Sequence, residues 1–139
     1  MSRVINTEGA GKDRNRLVKG IVIATRELMK QTEPDSHSYD LVAFISLALG
    51  EISSNIDVSV AAWEKRGYWV KADHFRMEWA WSAKASEDLR KALLKGDWGL
   101  IALTVASTAQ KFSTIKVSEK NRLGKPWEGA WNRIEKNTP

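Results

Sequence analysis

The chain contains no cysteine, which excludes disulfides, thiolate metal sites and cysteine nucleophiles. Histidine is almost as scarce, with only His37 and His74. A carboxylate–histidine metal centre in a helical bundle needs Glu-x-x-His pairs on inward-facing turns. Three residues before these histidines stand Pro34 and Lys71 instead, so no metal and no cofactor are expected.

Long apolar runs are also missing. The nearly uncharged stretch from Leu41 to Leu49 is too short to span a bilayer. The first residues, MSRVINTEGAGKDRNR, lack the apolar core of a signal peptide. The expectation is a cytoplasmic protein with no membrane partner. No strand-like alternation lasts long enough to build a sheet, and no repeat of solenoid period is present.

What remains is a chain of 139 residues, 42% hydrophobic and 28% charged, the size and balance of one globular domain. Tryptophan stands out, with seven residues. The net charge of +5 is concentrated at the two ends. Residues 1–20 hold five basic side chains against two acidic ones, and residues 111–139 hold seven against three. Such ends attract polyanions by counterion release, or simply keep a protein soluble.

Helical periodicity runs almost throughout. Leu17, Ile21, Ala24 and Leu28 share one face of a first helix, from about Lys12 to Lys30. Pro34, with Asp35 and Ser36 as caps, separates it from a second helix over Ser38 to Lys65. There Leu41, Phe44, Ile45, Ala48, Ile52, Ile56, Ser59 and Trp63 form a band. Gly67 reads as a stop. A third helix is expected from Tyr68 to Lys95, ended by Gly96, and Asp97 caps a fourth from Trp98 to about Ile115. Pro126 then opens a short final helix. The pattern predicts an all-α fold: an antiparallel four-helix bundle with a long central helical hairpin, about 40 Å at ~1.5 Å per residue, and a short C-terminal helix. The domain division expected is a flexible basic leader over 1–11, the bundle over 12–117, and a basic loop with the last helix over 118–139.

Few chemistries survive inspection. Gly9-Ala10-Gly11-Lys12 resembles a phosphate loop, but that motif needs glycine where Asn6 stands and Ser or Thr where Asp13 stands. Serines are present without a strand-turn-helix context. The most reactive grouping is Lys71, His74 and Glu78, which fall along one border of the third helix. A carboxylate there would poise the histidine for proton transfer, making a small-molecule site walled by Trp79 and Tyr68. The plainer reading is a solvated, salt-linked edge.

On a continuous third helix, Phe75 and Trp79 face the core with Leu89 and Leu93. Trp81 then lies about 200° from Trp79, beside Met77, and Trp69 takes yet another direction. Trp69, Met77, Trp81, Trp127 and Trp131 are therefore the candidate partner-binding residues, since exposed tryptophan is a typical interface anchor. Trp81 has two further readings, contact with a second helix and stacking of nucleobases. Arg14, Arg16 and Lys19, with Lys120, Arg122 and Lys125 of the tail segment, are the candidate nucleic-acid contacts. No sequence-reading nucleic-acid motif accompanies them.

No motif points to a particular family. The overall plan, a small basic all-helical chain with aromatic surface candidates, is similar to helical small subunits of nucleoprotein complexes, including those of CRISPR effectors. That similarity is one of architecture. The function expected is a non-enzymatic subunit or adaptor of a larger assembly, associating with a protein partner or with itself and contacting nucleic acid non-specifically. The alternatives are a small-molecule-binding bundle or enzyme at the Lys71/His74/Glu78 edge, and a structural homo-oligomer.

Overall fold

The computed structural model describes residues 7–118 and 120–137, and among them all regular structure is helical. The elements are α1 (Thr7–Met29), α2 (Ser36–Lys65), α3 (Trp69–Trp79), α4 (Trp81–Lys95), α5 (Trp98–Lys111) and α6 (Ala130–Lys136). Met1 to Asn6 of the expected leader lie outside the described residues. Its remainder is not a leader: α1 already runs from Thr7, and the Asn55 side chain donates to the Ala10 carbonyl at 2.8 Å.

α2 is the axis of the fold and touches α1, α3, α4 and α6. Its expected apolar band is buried except for the half-buried Trp63, and the burial goes further, with all six residues from Leu41 to Ser46 inside. A helix covered on several sides can be apolar on several sides, and Glu51, Ser54 and Asp57 mark the side of α2 left exposed. By length and composition α2 could cross a membrane. Most of its apolar side chains are packed into the core cluster with those of the other helices, while Val58 is exposed.

Local chemistry sets the ends of these helices. The Asp35 carboxylate accepts from the Ser38 amide at 2.9 Å and from the Ser38 hydroxyl at 3.1 Å, capping α2. Those bonds hold the Asp35 carboxyl below its ordinary pKa. A carboxyl whose folded pKa is depressed stabilises fully above its unfolded value, and that contribution is lost as pH falls through the folded one. Asp35→Ala is therefore expected to melt earlier than wild type at neutral pH. The gap should close in acid, and thermal melts across a pH series measure it.

At the other end of α2, Gly67 takes the left-handed conformation (φ 80°). The Gly67 amide reaches the Glu64 carbonyl and the Tyr68 amide the Trp63 carbonyl, at 3.0 and 2.9 Å. Where α1 crosses α2, Gly20 permits the approach: a Cβ there would stand 2.9 Å from the Phe44 ring. Across the α2–α4 contact, Ser46 and Ser86 each donate a hydroxyl to the other's carbonyl, at 2.8 and 2.6 Å.

The expected third helix is broken. Ala80 keeps helical dihedrals (φ −57°, ψ −31°), but its amide makes only a long 3.5 Å bond to the Met77 carbonyl. The fully buried Ser82 donates its hydroxyl to the Trp79 carbonyl at 2.7 Å. Side-chain bonds of this kind compete with the helical ladder and bend it. The result is a kink at Ala80 between α3 and α4.

The C-terminal segment also departs from the sequence reading. It packs back on α2, where the Asp40 carboxylate accepts the Trp131 amide at 3.0 Å and the Gly129 amide at 3.4 Å. Trp127, Ala130 and Ile134 are buried in the main core. Arg26 of α1 holds the connecting chain through a 3.0 Å bond to the Val117 carbonyl.

Candidate functional site

The Lys71, His74 and Glu78 edge does not assemble into a site. All three are exposed. Among the described residues, no hydrogen bond or ion pair joins any two of them. Lys71 lays its ammonium 4.6 Å from the centre of the Trp63 ring, a cation–π contact that pins α3 to the end of α2. Phe75 meets the same indole edge-on at 4.7 Å. Glu78 belongs elsewhere, to a hollow of about 390 Å³ that includes Arg14, Trp79, Trp81, Lys111 and Phe112.

That hollow adjoins the kink at Ala80, with Trp79 and Trp81 both in its lining. On a straight helix Trp79 and Trp81 would point apart. Here their rings lie 6.1 Å apart and nearly parallel, at 21°. Both rest on Phe112 at the end of α5, at 6.1 and 5.6 Å. Trp81 is therefore half-buried beside Trp79 and does not project from an opposite face.

Cations flank the ring cluster. The Arg14 guanidinium stands 4.8 Å from the Phe75 ring and donates to the Asn55 side chain at 2.8 Å. Burial lowers the Arg14 pKa, and the charge of Glu78 offsets this in part. Lys111 lies 5.6 Å from the Trp81 ring centre. Among the described residues Lys111 has no ion-pair partner. A second hollow of about 270 Å³ opens between α4 and α5, and Trp81 and Lys111 line both.

The other tryptophans divide by contact. Trp127 is 4% exposed and meets His37 at 6.3 Å, edge to face. It forms part of the chain's own core, correcting its expected place among partner anchors. Trp131 is half-buried against Tyr39 at 5.0 Å, and Tyr39 also meets Trp98 at 5.3 Å. Trp69 and Met77 do face outward, 60% and 77% exposed, with Val70 at 73% between them in sequence. α3 buries only Ala72. α5 carries no charge before Lys111 and leaves Leu103 71% exposed.

The basic candidates fall into two separate sets. Arg16 is exposed and paired with Asp13 at 3.0 Å, and Lys19 is exposed one turn on. Lys120, Arg122 and Lys125 are exposed on the connection before α6. That connection meets α1 at Arg26, roughly 15 Å along the helix from Arg16 at ~1.5 Å per residue.

Among the described residues no cluster of three or more histidine and acidic side chains is placed to hold a metal ion. No protein-family model matches the chain, and no curated protein or solved structure is similar to it. Lys111 and Phe112 are the residues of this region that sequence reasoning did not connect to Trp81. Nothing in the local pattern announces a kink.

Proposed function

We propose that this chain is a non-enzymatic helical subunit or adaptor of a larger assembly in the cytoplasm, organised as an antiparallel four-helix bundle on its central hairpin. One observation carries the reading: α3 turns Trp69, Val70 and Met77 outward and buries only Ala72. Contiguous exposed apolar surface marks an interaction site. Indole and thioether side chains are those that fill partner pockets. Trp69→Ser combined with Met77→Ser tests the reading, since it removes the surface and leaves the core intact.

The second part of the reading is non-specific contact with nucleic acid through Lys120, Arg122 and Lys125, supported by their exposure and by the excess positive charge at the chain ends. Arg16 and Lys19 add charge on α1. Arg122→Glu with Lys125→Glu is expected to weaken binding. It should also flatten the log–log dependence on salt by roughly 0.7 for each phosphate of a single strand that the variant no longer neutralises. A salt titration that returns the wild-type slope contradicts this part.

A further inference from the structure

The second part of that reading, nucleic-acid contact, has so far rested on charge alone. The surroundings of Trp81 supply what charge does not. Trp81 and Lys111 line both of two hollows, of about 390 and 270 Å³. The larger lies within the volume range of ordinary small-ligand sites, roughly 300–1,000 Å³. Its wall is the ring cluster of Trp79, Trp81 and Phe112. The smaller is bordered by Lys84, Thr104 and Ser107.

The charges decide what these hollows can take. Arg14, Lys84 and Lys111 oppose Glu78 and Asp88. Lys84 and Asp88 neutralise each other at 2.7 Å. That leaves Arg14 and Lys111 against Glu78. An aromatic cage for a quaternary ammonium would need the opposite balance. An apolar side chain of a partner would strand the Lys111 ammonium without an anion. A flat ring carrying an anionic group satisfies both the rings and the cations.

Resting on the nucleic-acid part of the reading above, we propose that the two hollows lined by Trp81 and Lys111 are base-stacking subsites for a single-stranded nucleic acid, with Lys111 holding the phosphate between them and Arg14 the one at the far end. Every base has a π-face, so the site is tolerant of sequence. A duplex keeps its bases stacked on one another and offers only its backbone. Glu78 opposes the incoming phosphates and moderates affinity.

The test is fluorescence anisotropy with a labelled oligothymidylate of about a dozen nucleotides, within the span a single binding domain covers. The same strand paired with its complement is run beside it, and free thymidine monophosphate is followed by the indole N–H resonances. The single strand should bind more tightly than the duplex. Trp81→Leu should lose roughly five- to a hundred-fold in affinity. Lys111→Gln should weaken binding and reduce its salt slope, and Glu78→Gln should tighten it. Circular dichroism and thermal melts check the fold of each variant. If Trp81→Leu fails to fold, the exposed Lys111 and Glu78 positions decide the matter.

Wild-type binding that ignores Trp81→Leu, Lys111→Gln and Glu78→Gln overturns the stacking site and leaves the terminal cations as the contact. No binding by wild type at low salt overturns both. Equal affinity for duplex and single strand, or saturation by free thymidine monophosphate at the strand's own nucleotide concentration, also overturns the strand assignment.

Discussion

Replacing Trp127 with alanine is expected to lower stability by about 3–5 kcal/mol, the usual cost of truncating a large buried aromatic side chain. The indole is 4% exposed and lies in the main core with Ala130 and Ile134. Its loss leaves a cavity under α6, where the Asp40 carboxylate provides the backbone anchor. For a domain of this size the melting temperature should fall by roughly 10–15 °C.

Trp127→Phe is expected to be far milder. Among the described residues the indole Nε1 is buried without a hydrogen-bond partner, and an unmade buried bond costs about 1–3 kcal/mol. Phenylalanine fills part of the volume and removes that donor. Urea denaturation of both variants measures the pair. An alanine variant within about 0.5 kcal/mol of wild type would place Trp127 outside the core.

Trp69→Ser with Met77→Ser should behave in the opposite way. Both side chains project into solvent, 60% and 77% exposed. Their loss should change folding stability by no more than about 0.5 kcal/mol. Association is expected to suffer heavily, since a buried interface anchor contributes about 2 kcal/mol or more, roughly a thirty-fold change in Kd. The two tryptophan experiments thus separate indoles that hold the chain together from one offered to another molecule. A double variant that melts well below wild type would show that α3 relies on these side chains itself.

The sequence shows most of the helices because their boundaries are written in local residues. Pro34, Gly67 and Gly96 act on their own neighbours, and Asp35 and Asp97 cap the helices that follow them. The kink at Ala80 is not local in that sense. It combines a Ser82 hydroxyl turned onto the Trp79 carbonyl with two indoles resting on Phe112. Uniform 100° spacing cannot represent such a bend, so Trp79 and Trp81 read as opposed when they are stacked.

Trp127 was illegible for a related reason. Its burial depends on Asp40, 91 residues from the Trp131 amide it holds. Nothing near the proline that precedes Trp127 reports that contact. The Lys71, His74 and Glu78 grouping shows the converse error, a spacing that suggests chemistry without a concavity to contain it. Lys71 is engaged with Trp63, and Glu78 turns toward the Trp81 hollow.

We propose that the outward face of α3 is covered by another chain in the native assembly. The most direct measurement purifies tagged wild type and the Trp69→Ser, Met77→Ser variant from the native source and determines the mass and stoichiometry of each assembly. The expected result is a defined complex with wild type and a lone, folded chain with the variant. A wild-type chain that emerges alone, or a variant that retains the same complex, would contradict it.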